Sequence, residues 1–245
     1  MLDAIKRWIA GGPPGPGWGD VSEWARQQGH GFKRARDDEG FVVDGTFGDH
    51  SWRLEWGPPQ RTYIDGHELR IRMAMKLSSN LQLLLLTRAL METLERETFD
   101  RYTKSNQTLI DVSTPEEMRW LAMFPKIPPA DLPKELRQRF ALVASDANVG
   151  LQWIDPAFAQ QLCVVASRLL DHEPPFVVMT LRGRLYLRLQ LEEPKAAAVA
   201  QALALFQAAA TAASNLRGSK DAPADWPTTS STAWTDLGAD DEPKR

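Results

Sequence analysis

One cysteine, Cys163, stands in 245 residues, so no disulfide can close within the chain. That excludes a cysteine-stapled scaffold and fits a reducing compartment. No charge of one sign dominates: 29 Lys and Arg face 32 Asp and Glu, a formal net charge of -3. Over residues 30–76, eight basic side chains meet eight acidic ones, which leaves no one-signed stripe for nucleic acid. The four histidines, His30, His50, His67 and His172, are scattered and do not form a metal-ligand set. Neither Gly-x-Gly-x-x-Gly, nor a P-loop, nor a Gly-x-Ser-x-Gly elbow occurs. The Gly/Pro run at 11–19 is interrupted by prolines, which lack the amide protons that cradle phosphate. The expectation is therefore no metal, no cofactor and no catalytic residue.

Long apolar runs are also missing. Leu81 to Leu86 is apolar but far too short to span a bilayer, and residues 196–213, though long, are mostly alanine with Gln201 and Gln207 inside. The first ten residues carry Lys6 and Arg7 in the middle rather than ahead of an apolar stretch, unlike a secretory signal. These readings predict a cytoplasmic protein without a membrane span.

What the sequence does contain is alternation. Trp52, Leu54 and Trp56 alternate with Ser51, Arg53 and Glu55, and Leu69, Ile71, Met73 and Met75 with Glu68, Arg70, Arg72 and Lys76. Such a pattern predicts a β-meander with one face buried and one wet. Phe32–Arg36 and Phe41–Phe47, with Gly45 as a bulge, are expected to open it. Thr62–Ile64 and Glu68–Lys76 flank Asp65-Gly66, a hairpin signal. A smaller version returns at 176–181 and 184–191 around Arg182-Gly183, with Leu185, Leu187, Leu189 and Leu191 on one parity.

Helices are predicted over 2–10, 21–28 (Asp20 as cap, Glu23 completing a capping box), 80–103, 115–124 (Thr114 as cap, Glu117 bonding back), 156–171 and 194–216. A strand is expected over 139–144 and an irregular stretch over 145–154. The fold class is therefore α+β: an antiparallel β-meander packed with helices, followed by a second, smaller sheet-and-helix unit. The expected division is 1–19, an N-terminal helix and Gly/Pro linker; 20–125, the meander unit; 126–217, the second unit; and 218–245, a disordered tail rich in Ser, Thr, Pro, Asp and Ala.

The segments WRLEWGPPQRTYIDGHELRIRMAM and PEEMRWLAMFPK resemble an uncharacterised, mainly proteobacterial protein family of unknown function. RFALVASDANVGLQWIDPAFAQQL and FVVMTLRGRLYLRLQL resemble other bacterial domains of unknown function. The resemblance implies a bacterial α+β protein and assigns no activity.

Two features point to binding. Arg53, Glu55, Arg61, Glu68, Arg70 and Arg72 fall where the alternation places a wet sheet face. Arginines held there by carboxylates can fork onto a carboxylate or phosphate. Cross-strand ion pairing on a solvated face is the plainer account of the same residues. Among the nine tryptophans, Trp52, Trp56, Trp120 and Trp153 are expected in the core. Trp8, Trp18, Trp226 and Trp234 fall in segments expected to be mobile, and Trp226 and Trp234 read as docking residues for a partner. The sequence-level reading is a non-catalytic protein-interaction or adaptor module with another protein as partner and no nucleic acid. The alternative is a small anionic-ligand or enzymatic site between the two units, built on Glu68, Arg70 and Arg72.

Overall fold

In a computed structural model of the chain, residues 18–35, 39–104, 114–127 and 134–216 are described. The expected helix at 2–10, Trp8, and the tail with Trp226 and Trp234 lie outside them.

The alternation from Phe41 to Met75 becomes a meander. Strands β1 (Gly31–Arg34), β2 (Phe41–Phe47), β3 (His50–Gly57) and β4 (Glu68–Ala74) lie side by side in sequence order, each antiparallel to the next. Phe41, Val43, Trp52, Leu54, Trp56, Leu69, Ile71 and Met73 all face one core, as their parity requires. Gly45 forms no bulge: the β2–β3 register runs unbroken through Gly45↔Trp52. Glycine is needed because a Cβ there would lie 2.3 Å from the Trp52 ring.

The second strand group joins the same sheet. β5 (Leu83–Thr87), β6 (Lys126–Ile127), β7 (Phe140–Ala144), β8 (Phe176–Leu181) and β9 (Arg184–Gln190) complete the order β1-β2-β3-β4-β9-β8-β5-β7-β6. β4 pairs directly with β9, from Glu68↔Gln190 to Ala74↔Arg184. The two groups expected as separate sheets are thus one nine-stranded antiparallel sheet, and the fold is α+β. The β8–β9 turn has both Arg182 (φ 51°) and Gly183 (φ 74°) left-handed, the geometry whose twist matches paired strands.

The helices are α1 (Gly19–Gln27), α2 (Arg88–Lys104), α3 (Glu116–Met123), α4 (Lys134–Arg139), α5 (Ala147–Trp153), α6 (Pro156–Arg168) and α7 (Ala196–Ser214). They cover both sheet faces. One core takes Val21 and Ala25 of α1, Trp153 of α5, Phe158 and Leu162 of α6, and Leu203 and Phe206 of α7. The other takes Leu90, Met91 and Leu94 of α2, Met118, Trp120 and Leu121 of α3, and Tyr63 and Ile64. α7 meets the length and composition of a membrane span, yet half of its apolar window is buried within the protein.

Several local expectations are corrected. The helix predicted from Asn80 begins only at Arg88; Leu83–Thr87 is a strand, β5, buried at every residue between β8 and β7. Leucine favours helix alone, but a strand closed on both faces accepts any compact apolar run. Thr62–Ile64 forms no strand, because both edges of β4 are taken, by β3 and β9. Residues 147–153 are helical rather than irregular: Asp146 caps α5 by accepting from the Asn148 and Val149 amides.

Asp20 lies inside α1 rather than capping it. Its Oδ2 instead accepts from the Ala196 amide at 2.8 Å, capping α7 across the fold. Pro115, not Thr114, takes the N-cap position of α3, and Glu117 does not bond back to it. Trp18, expected in a loose segment, packs edge-on against Phe41 and Trp56 beneath the Arg34 guanidinium.

Candidate functional site

The apolar cover of α2, α3 and Tyr63–Ile64 reaches the β9-β8-β5-β7 half of its sheet face through Tyr186, Met179, Leu84 and Val143. Along β2, β3 and β4 the same face carries polar side chains. The strand registers arrange them in rows: Asp44↔Arg53↔Arg72↔Tyr186, and Val42↔Glu55↔Arg70↔Arg188.

The second row runs into a buried ionic cluster. Glu68 and Arg188 are both enclosed (0% and 1% exposed) and pair with one another. Glu68 Oε2 also accepts from the Gln60 amide at 2.7 Å. Arg70 Nε donates to Glu55 Oε2 at 2.6 Å, and its Nη1 lies 3.7 Å from Glu68. Behind them Arg61 Nε and the Tyr63 hydroxyl both donate to Glu117 Oε1, at 3.1 and 3.0 Å. Three guanidiniums thus answer three carboxylates. Burial on this scale requires such pairing, because an isolated charge there would cost several kcal/mol.

Burial by itself would raise the Glu117 carboxyl, but Arg61 and Arg188 outweigh it and hold Glu117 below its ordinary range. Burial opposes charge on Arg61, and Glu117 more than compensates, so the guanidinium is held above its usual value. The Tyr63 phenol is pushed well above its ordinary value, by burial first and by Glu117 next. At neutral pH the trio is therefore carboxylate, guanidinium and neutral phenol.

The residues predicted for the wet face divide accordingly. Arg61 and Glu68 are buried, which corrects their placement on a solvated surface. Glu55 and Arg70 are half-buried and paired with each other. Arg53 and Arg72 remain at the surface end of the face, in direct register. Arg53 Nε donates to Asp44 Oδ1 at 2.8 Å, and this bond is the main reason its guanidinium is held above its usual value.

Beside them lies a shallow, open depression of about 270 Å³. It is lined by Asp44, Ser51, Arg53, Arg72, Ala74 and Arg184 of this face, with Trp52 and Met73 of the opposite parity. Asp44, Arg184 and Arg188 were missed as site residues at the sequence level. A signal existed: Arg184, Tyr186 and Arg188 alternate with Leu185, Leu187 and Leu189, as Arg70 and Arg72 do with Leu69 and Ile71. Nothing local shows that β9 lies next to β4.

Comparison with known proteins adds little to this geometry. The sequence matches no protein-family model and no curated protein. Among solved structures the chain is similar to the mycobacterial trehalose monomycolate transport factor A, TtfA, with a TM-score of 0.45 and 8% identity. The likeness covers 81% of this chain and 94% of that one. No group of three or more potential ligands for a metal ion occurs among the described residues.

One consequence is measurable in acid. His30 packs edge-on against the rings of Trp24 and Trp52, and burial lowers its pKa below the usual 6.5. A base depressed by folding stabilises above its unfolded pKa and loses that contribution as pH falls through the folded value. Glu117, a depressed acid, contributes in full above its ordinary value of 4.5 and loses that contribution progressively as pH falls from there through its lower folded value. Urea midpoints should therefore fall in two stages, beginning below pH 6.5 and again below about pH 4.5. His30→Gln should flatten the upper stage and leave the lower. An unchanged upper stage in that variant would reject the assignment.

Proposed function

We propose that this protein is a non-catalytic binding module that docks an acidic segment of a partner protein on the open face of β2, β3 and β4. The observation that carries the reading is the open depression on that face, which Arg53, Arg72 and Arg184 line together with Asp44. Charge complementarity names the partner: an acidic segment meets cations whose planar forks match carboxylates. The depression is shallow and open, the form of a docking face rather than of a pocket that closes over a small substrate. The single Cys163 and the bacterial resemblance support a cytoplasmic setting.

Exposed Lys33 on β1 and Lys76 after β4 border this face and provide cross-linking positions. Amine cross-linking of the protein purified from its native host should join a partner to Lys33 or Lys76. Arg53→Glu with Arg72→Glu should weaken that association about tenfold or more, since like charge across a rim costs on-rate and affinity. Cross-links that avoid both lysines, or an association indifferent to the double reversal in a folded variant, would reject the reading.

A further inference from the structure

The chain holds two Asp-Gly pairs, Asp44-Gly45 and Asp65-Gly66. This dipeptide carries a chemistry of its own: glycine has no side chain to shield its amide nitrogen, which can reach the carboxyl of the residue before it. The structure treats the two pairs differently. Asp44 Oδ1 accepts from Arg53 Nε at 2.8 Å, and Gly45 is held in the β2–β3 ladder opposite Trp52. Asp65 and Gly66 are both exposed, in the connection between Ile64 and β4. The Asp65 carboxylate makes no hydrogen bond or ion pair among the described residues; its amide donates to Gln190 Oε1 at 3.3 Å. Position 66 also favours glycine. Its φ is 67°, in the left-handed region, and Glu192 Oε1 stands 2.1 Å from where a Cβ would lie.

We propose that Asp65 is a site of spontaneous backbone modification, isomerising through a succinimide to isoaspartate, and that Asp44 is spared. The Gly66 amide nitrogen attacks Cγ of the protonated Asp65 carboxyl. The N–Cγ bond forms, the amide proton is lost, and the carboxyl hydroxyl leaves as water. Water then opens the ring at either carbonyl. Cleavage of the new N–Cγ bond restores aspartate. Cleavage of the original bond between the Asp65 carbonyl and Gly66 leaves the chain running through Cβ and Cγ, with the α-carboxylate free at the surface. One water leaves and one returns, so no co-reactant is needed. At Asp44 the carboxylate would first have to leave Arg53 and the ladder would have to open, so the reacting atoms are kept out of line. This goes beyond the docking reading and does not depend on it.

Isomerisation adds a methylene to the main chain between two buried residues, Ile64 and Glu68. The same connection is tied twice to the end of the β9 segment. The Asp65 amide bonds Gln190, and the His67 carbonyl accepts from the Leu191 amide at 3.0 Å. Lengthening the connection works against both ties, so aged protein should melt lower than fresh protein.

The test ages the full chain in heavy-oxygen water at neutral pH and then digests it with trypsin. Peptides 62–70 and 37–53 carry the two pairs. Each passage through a succinimide leaves one heavy oxygen, and electron-transfer fragmentation tells isoaspartate from aspartate. Isoaspartate should build up at Asp65 at least about fivefold faster than at Asp44, because a reacting group held out of line loses that much rate or more. In chain unfolded by guanidinium the ratio should fall toward one. Asp65→Asn should give the same product faster, releasing ammonia in place of water. Asp65→Glu, which would need a six-membered ring, should form none and should keep its thermal midpoint on ageing. Equal rates at the two pairs in the folded chain, or no isoaspartate at Asp65 while the unfolded chain forms it, overturns the proposal.

Discussion

Glu68→Gln is expected to destabilise the protein by about 3–5 kcal/mol, because it strands the Arg188 guanidinium in the sheet interior without its counter-charge. For a chain of this size that is a fall in Tm on the order of 10 °C. Arg188→Met should cost a similar amount by leaving the buried Glu68 carboxylate with only the Gln60 amide and the more distant Arg70 guanidinium. The informative variant is the double one, Glu68→Leu with Arg188→Met. A buried ion pair replaced by apolar side chains of similar volume is often neutral or better, so the double variant should recover most of the loss. Recovery should stay incomplete: Glu68 also accepts from the Gln60 amide, and a buried donor left unmade costs roughly 1–3 kcal/mol. Chemical denaturation of the native protein, Glu68→Leu, Arg188→Met and the double variant measures the coupling. Additive single effects would mean that the pair is not the unit the structure shows.

Trp153→Ala should be about as costly, in the range of 3–5 kcal/mol, through a different mechanism. Trp153 is fully buried at the end of α5, tilted against Phe158 of α6 with ring centroids 5.2 Å apart. Its indole N–H donates to the Ala209 carbonyl of α7 at 3.0 Å. Truncation opens a cavity where three helices meet, and around Ala209, the carbonyl partner, α7 is built of short side chains (Ala208, Ala209, Ala210) that cannot reach in to refill it. Trp153→Phe keeps most of the volume and loses only the hydrogen bond, so it should cost about 1 kcal/mol. Equal losses in the two variants would show that the hydrogen bond, rather than the packing, sets the stability here.

The two variant sets probe different layers of sequence legibility. Trp52, Trp56, Trp120 and Trp153 were expected in the core, and all four are buried, Trp153 although its stretch was read as irregular. Leu69, Ile71, Met73 and Met75 were readable as one buried face, because side-chain direction along a strand alternates regardless of context. Glu68 has the wet parity, and by alternation alone it belongs with solvent. It is enclosed because β9 brings Arg188 beside it from 120 residues away. The leucines of β5 read as the start of a helix for a related reason: a short apolar run has no period of its own, and neighbours on both edges decide its form.

The same division runs through the candidate site. That Arg53 and Arg72 share a face with Asp44 and Ser51 follows from strand parity within the meander. That Arg184 joins them does not, since it depends on the β4–β9 pairing.

By itself, the chain's local pattern determined which segments alternate, where most of its helices lie, and which parity of each strand is apolar. Each of these follows from bonds and contacts a few residues long. Only the tertiary structure decided that two strand groups make one sheet, that Arg61 and Glu68 are sealed inside while Arg53 and Arg72 are only half-buried, and that Arg184 of β9 joins them around one depression. Those outcomes depend on which edges pair and which half of a face the helices cover. Pairings between residues far apart in the chain leave no local periodicity from which they could be read.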